Sequence, residues 1–312
     1  MLLSNKRGGI VVKDVITMGI DVGYSHTKTV TSNGKDIFRS TVKDGAIDIN
    51  TGSTVIEYNG EVKTIGERGR ITVDENKIED ENFEPLLLTA ILRNVDDKLT
   101  TINVNLVTGL PIAWYPKQKE KLREYLKDRR VKVGYKGKER EVHINDCIVF
   151  PQSAGLALTN PSDFADGKTN LVIDIGGLTV DVSYYEGRRI VSFNSYQLGM
   201  IKFYAKVASA INTEFNVEVD EQDVERFIEE GFVTINEEQV DFDFDKHFKQ
   251  HMDEILTRVK RDFPYNIVHK KTFIGGGALR FKDYLPPNKG IKCDELYLNA
   301  EAFYNVGVQK FE

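Results

Sequence analysis

The stretch "NLVIDIGGLTVD" at residues 170–181 decides how this chain is read. Its apolar run, Leu171-Val172-Ile173, ends on Asp174, and the glycine pair Gly176-Gly177 follows. A carboxylate closing a buried strand is costly unless a cation or hydrogen-bond donors receive it. A second copy, "MGIDVGYSHTK" at residues 18–28, sets Asp21 and Gly23 in the same pattern. The agreement continues downstream. Asn33-Gly34 begins twelve positions after Asp21, and Glu186-Gly187 begins twelve after Asp174. Ile37 and Ile190 each follow their aspartate by sixteen. Each half therefore reads strand, aspartate, glycine turn, strand, tight turn, strand. A repeat of so long a period predicts duplicated domains, not a solenoid.

At 312 residues the chain is long enough for two domains or one large one split by a cleft. Hydrophobic residues at 40% and charged residues at 29% allow a buried core with a solvated surface. No apolar stretch approaches bilayer length, so no membrane role is expected. The first fourteen residues, "MLLSNKRGGIVVKD", lack the apolar centre and cleavage site of a secretory signal and read as an arm or an extra edge strand. Cys147 and Cys293 have no metal spacing and form no disulfide framework, which points to reduced thiols in the cytoplasm. A net charge of -6 argues against direct wrapping of nucleic acid. The one basic run, "KDRRVKVGYKGKER" at 127–140, reads either as a solvated hairpin rim around "GYKG" or as a docking patch for an acidic partner.

Helices are expected between the sheets. "PKQKEKLREYLKDRR" from Pro116 has a proline start and a basic far end, both suited to a helix. Residues 202–214 set Phe203, Val207 and Ile211 on one face. "DEQDVERFIEEG" offers Asp220 as N-cap, Asp223 at the third helical position and Gly231 as stop. The longest helix spans about Asp243 to Phe263, with Phe244, Phe248, Met252, Ile255, Val259 and Phe263 as a core-facing stripe ended by Pro264. "GKT" at 167–169 imitates the tail of a phosphate-binding P-loop. Ser162 stands where that motif needs glycine, and a strand follows instead of a helix, so it reads as a turn.

Two glycine turns facing each other would clasp a chain of phosphates between backbone amides, since Gly23 and Gly176-Gly177 bring no Cβ to hold a ligand off. Neither aspartate belongs among phosphate oxygens without a cation between them. Mg²⁺, an oxygen-seeking ion that keeps most of its waters, would let Asp21 and Asp174 hold it through water. Lys28 would meet the β- and γ-phosphates as a point charge.

These phosphate-loop motifs, "IDVGYSHTK" and "IDIGGLTVD", resemble those of the actin, sugar-kinase and heat-shock-chaperone ATPase superfamily. Within it the chain resembles the ParM-type bacterial and archaeal actin-like proteins, plasmid-segregation filaments among them. The resemblance covers residues 15–312. "VTGLPIAWYPKQKEKLREYL" is similar to the family's strand-Thr-Gly-Leu-Pro-helix passage, "FPQSAGLAL" to the segment linking the halves, "FIGGGALRF" to the adenosine loop, and "NAEAFYNVGVQKF" to the closing helix.

The fold this implies is α/β: duplicated actin-like (ribonuclease H-like) domains, each a mixed five-stranded sheet flanked by helices, with a nucleotide cleft between them. The expected division is an arm at 1–14, a first domain at 15–165 to which 296–312 return, and a second at 166–295. ATP or GTP with Mg²⁺ is the implied ligand. Tyr24, Ser25, His26, Thr27 and Lys28 would line the first loop beside Gly23, and Leu178 and Thr179 the second beside Gly176 and Gly177. By resemblance Gln152 orients the water that attacks the γ-phosphate, a geometric role because an amide is no strong base. Asp21 and Asp174 complete the catalytic set. Gly275, Gly276 and Gly277 would let the backbone lie against adenine and ribose. Glu225 reads as a ribose or base contact, or as part of a solvated helix face.

The chain departs from the family pattern in three places. Leu178 stands where threonine is common, although Thr179 and Asp181 remain; His26 sits within the first loop; the amino-terminal residues have no counterpart. The resemblance implies a self-polymerising ATPase or GTPase whose filament moves plasmid DNA through a separate DNA-binding adaptor. A small-molecule kinase would need a carboxylate base in the cleft, where Gln152 stands instead. A regulatory ATPase that never polymerises is the other alternative.

Overall fold

The run closed by Asp21 forms β1 (Val15–Val22), which turns through Gly23 into β2 (His26–Thr31) and then into β3 (Gly34–Arg39). The computed structural model describes residues 15–46, 52–67, 69, 74, 76–287 and 296–312, so the expected arm at 1–14 and Cys293 lie outside the described residues. Three short strands follow: β4 (Val42–Asp44), β5 (Thr54–Tyr58) and β6 (Glu61–Ile65). Then come α1 (Phe83–Arg93), β7 (Thr101–Leu110), α2 (Tyr115–Leu126), β8 (Arg129–Tyr135), β9 (Lys138–Pro151) and the single turn α3 (Leu156–Thr159). They make one mixed sheet in the order β3-β2-β1-β7-β9-β8-β5-β6-β4. Its first five strands match the expected count. The other four extend it because β9 is fourteen residues long, pairing with β7 along its second part and with β8 along its first.

The second half repeats the plan. β10 (Thr169–Ile175), β11 (Val180–Glu186) and β12 (Arg189–Tyr196) form the same antiparallel meander. α4 (Met200–Phe215), α5 (Glu221–Glu230), the hairpin β13 (Val233–Ile235) and β14 (Glu238–Val240), and α6 (Phe244–Asp262) come next. β15 (Lys270–Ile274) then runs parallel to β10, followed by α7 (Gly276–Arg280) and, near the end of the chain, α8 (Leu298–Phe311). The order β12-β11-β10-β15 corresponds strand for strand to β3-β2-β1-β7. Among the described residues this sheet has four strands where five are expected.

Local chemistry explains the elements that position the cleft. Asp220 accepts from the backbone N–H groups of Gln222 and Asp223 while the Asp223 carboxylate accepts from Asp220 N. Such a capping box contributes about 1 kcal/mol. Gly231 ends α5 in a left-handed conformation. Phe248, Met252, Ile255 and Val259 of α6 are buried against Phe203, Val207 and Ile211 of α4, over the face of the second sheet. α8 crosses back and packs on β1 and β7 of the first sheet. Among the described residues no helix is long and apolar enough to cross a membrane.

Two expectations shift. α2 stops at Leu126 instead of running to Arg130, because Asp128 takes a positive φ of 58° and turns the chain into β8. The basic run is thus mostly hairpin, turning at Lys136 and Gly137. Its charges are engaged at the rim: Lys132 pairs with Glu139, Lys136 with Asp97, and Arg129 with the buried Glu84, which also accepts from Tyr58 and Tyr125. "GKT" is a turn, with Gly167 at φ 78° and Lys168 O accepting from Gly187 N at 2.7 Å.

Candidate functional site

Asp21 and Asp174 sit at matching places in the two meanders and open into one cleft of about 750 Å³. Both carboxylates are buried, at 5% and 7% exposure. Each faces a cross-strand neighbour seven residues on: Lys28 opposite Asp21, and Asp181 opposite Asp174. The duplicated frame therefore carries opposite charges at one equivalent position.

Burial pushes the Asp174 carboxyl up to about 6, with the Asp21 charge adding to the rise. Lys28 and a hydrogen bond from Asn299 Nδ2 at 3.2 Å pull it down. Asp181 is pushed up to about 7, first by burial and then by Asp174, although Ser195 and Thr179 donate to it. Three carboxylates facing a shared low-dielectric space create a strong demand for positive charge.

The two glycine turns touch where Gly177 meets Ser25. A Cβ at Gly177 would lie 2.7 Å from Ser25 N, so no other residue fits unless the two loops part. Gly176 O and Gly177 O accept from Met200 N and Ile201 N at 3.0 and 2.9 Å, which sets the N-terminus of the sixteen-residue α4 against the second loop. With Gly199 N also on Leu178 O at 3.0 Å, the first amides of the helix are taken by loop carbonyls, so its N-terminus anchors the loop. Gly275 has φ 89°, and a Cβ there would lie 2.3 Å from Asp174 Oδ1. The third glycine loop therefore packs directly onto the second aspartate.

Gly23, Tyr24, Ser25, His26, Lys28, Gln152, Gly176, Gly177, Leu178, Thr179, Glu225, Gly275, Gly276 and Gly277 line the same cleft as Asp21 and Asp174. Thr27 does not: its hydroxyl is buried on the other face of β2, bonded to Ser40 Oγ at 2.9 Å. Gln152 Nε2 donates to Asp21 Oδ1 at 2.7 Å. The Tyr24 ring stands edge-on to Trp114, and its hydroxyl donates to Asp74 O at 2.5 Å. His26 is bonded through Nδ1 to Ser25 Oγ at 2.9 Å, and its pKa falls to about 4, by burial first and then by Lys28, Arg39 and Arg280. It is a neutral ring at pH 7. Glu225 is no solvated helix residue; it pairs with Arg39 of β3 and lies 3.6 Å from Arg280 of α7, joining the two halves at the mouth.

Four contributors went unassigned in the sequence. Asn299, Arg39 and Arg280 line the cleft through tertiary contacts, Asn299 with Asp174 and both arginines with Glu225, that no local spacing signals. Lys77 is buried behind the first loop. Its amine donates to Val22 O at 2.8 Å and sits 4.2 Å from the Tyr24 ring centre.

Family models cover both halves. Residues 19–155 match the N-terminal domain of actin-like proteins, and residues 172–286 match the C-terminal domain of archaeal MreB-like actin homologues. No curated protein matches by sequence. Among solved structures the chain is similar to a 15-stranded ParM filament from Clostridium botulinum, with 22% identity and a TM-score of 0.81 over 95% of this chain and 100% of that one. It is similar to Ta0583, an archaeal actin homologue, with 20% identity and a TM-score of 0.80 over the same shares of the two chains. The complex of Ta0583 with ADP aligns at a TM-score of 0.77, with 20% identity and again 95% and 100% coverage. Two glycine-turn aspartate loops closing one cleft, and two family models that together span most of the sequence, make this chain a member of the actin-like proteins.

Proposed function

We propose that the cleft binds ATP or GTP with Mg²⁺ and hydrolyses it, and that the bound nucleotide controls head-to-tail assembly of the chain into a filament. The observation that carries this reading is the meeting of Gly177 with Ser25. It leaves two backbone loops on either side of a space walled by Asp21, Asp174 and Lys28. The ADP complex of an archaeal actin homologue of the same fold supports the choice of nucleotide.

The residues fit a hydrated Mg²⁺. Two buried carboxylates, one with its pKa raised by its surroundings, need a cation but are too few to strip one of its waters. Asp21 and Asp174 would hold the ion, which when bound supplies positive charge to the terminal phosphates. Lys28 and the loop amides take the phosphate oxygens, and the N-terminus of α4 braces the second loop from behind through the bonds of Met200 N and Ile201 N. The side chain of Gln152, fixed by Asp21, orients water for in-line attack on the γ-phosphate. Gly275, Gly276 and Gly277 carry the nucleoside, and Glu225 with Arg39 and Arg280 closes over its ribose or base.

Residues 15–165 with 296–312 form one domain and 166–295 the other, a division supported by the packing of α8 on β1 and β7. Each half closes on the nucleotide and shows its neighbour a different surface; contacts of that heterologous kind propagate. The filament structures among the similar proteins support self-assembly. Its cargo is plasmid DNA held by a DNA-binding adaptor, in keeping with a net charge of -6, and its place is the cytoplasm.

Phosphate release and light scattering on adding ATP or GTP with Mg²⁺ test the reading together. Both signals should rise, and Gln152→Ala should lower phosphate release at least tenfold while leaving nucleotide binding in place. Release from Gln152→Ala at the wild-type rate would refute the assigned role.

A further inference from the structure

We propose that Asn299 is a positioning residue for hydrolysis, a clip that holds Gln152 and Asp174 in fixed relation; this rests on the cleft being a nucleotide hydrolase. Asn299 is the second residue of α8 and does not cap it: the helix has Tyr297 at its N-cap with no side-chain cap bond. Both ends of the Asn299 amide are committed elsewhere. Its Oδ1 accepts from Ser153 N at 3.0 Å, and its Nδ2 donates to Asp174 Oδ2 at 3.2 Å.

Ser153 makes this contact informative. It directly follows Gln152, is fully buried, and has φ 65°, a left-handed conformation that an L residue keeps only when its surroundings impose it. Two bonds impose it: the one to Asn299, and the one from Ser153 Oγ to Ser183 Oγ on β11 at 2.9 Å. Gln152 is held on its other side, with its N–H on Leu110 O at 2.8 Å and its amide on Asp21.

A continuous path thus runs Asp21, Gln152, Ser153, Asn299, Asp174. It joins the aspartates of both halves through the segment that links them and through the returning helix. Within this path Asn299 is the one member that contacts both the Gln152 segment and Asp174. A shift of α8 relative to β10 must therefore change the distance between the water-orienting amide and the second aspartate. Asparagine suits the place chemically. Its amide donates to Asp174 without cancelling the carboxylate charge that a bound cation needs, and its carbonyl satisfies a buried N–H that would otherwise be unpaired.

The test is steady-state phosphate release from whichever of ATP and GTP the wild type cleaves, with Mg²⁺, for N299A and N299D. Asn299→Ala removes both bonds. Asn299→Asp is isosteric and keeps an acceptor for Ser153 N but replaces the donor to Asp174. Both variants should lose at least about tenfold in kcat with KM within about threefold of wild type and a cooperative melt. Wild-type kcat in a folded variant would overturn the proposal. So would a fall in activity that tracks a lowered melting temperature and a raised KM, which is the signature of a merely structural contact. Absence of phosphate release from the wild type would instead overturn the hydrolase reading beneath it.

Discussion

Asp174→Asn separates what this carboxylate costs the fold from what it does for a ligand. In the folded chain burial lifts its pKa from 3.8 to about 6. A raised acid pKa means that the native state binds more protons than the unfolded state between those values, so stability falls as pH rises through that window and stays low above it. About two units at ~1.4 kcal/mol each amounts to roughly 3 kcal/mol of destabilisation at pH 8, nearly absent at pH 4. Asparagine removes the titration and keeps an oxygen for the Asn299 amide. It also removes one of the charges that raise Asp181. In urea unfolding of the nucleotide-free protein, Asp174→Asn should gain on wild type by roughly 2–3 kcal/mol between pH 4 and pH 8. The same variant should fail to bind nucleotide with Mg²⁺. A stability difference that does not change with pH would refute the argument that this carboxylate is held in the fold at a cost recovered only by its ligand.

Two further perturbations follow from the geometry. Gly177→Ala places a methyl 2.7 Å from Ser25 N and must part the loops, so nucleotide affinity measured by calorimetry should fall at least tenfold while the melt stays cooperative. Unchanged affinity would mean that the contact of the two loops does not shape the nucleotide site. Lys77 is fully buried and its pKa falls to about 8, by burial first. Its native form thus binds fewer protons than the unfolded chain between pH 8 and 10.5, and wild type should gain stability over Lys77→Met by up to roughly 3 kcal/mol across that window in urea titrations.

Much of this was legible because it is local. The meander repeat, the capping box at Asp220, the stop at Gly231 and the stripe of α6 all follow from turn chemistry and periodicity within a dozen residues. The division at Asp181 and Lys28 was also present in the repeat, seven residues after each aspartate. So was the fate of Thr27. Alternation along β2 sends His26 and Lys28 to the cleft and Thr27 to the opposite face. By contrast α1, buried from Phe83 to Leu92, has no polar face to reveal a helical period. The widening of the first sheet depends on β9 serving two partners, and the end of α2 on one left-handed residue, Asp128. Lys77, Arg39, Arg280 and Asn299 act through tertiary contacts alone, which sequence spacing does not encode.

The proposed function requires the two aspartate loops to close on one nucleotide with its metal. Isothermal titration of the wild-type chain with ATP, GTP and ADP, with and without Mg²⁺, tests it most directly. One nucleotide should bind per chain, tighter in the presence of Mg²⁺ and lost in Asp174→Asn. Absence of binding by any of the three nucleotides, or equal binding by Asp174→Asn, would contradict it.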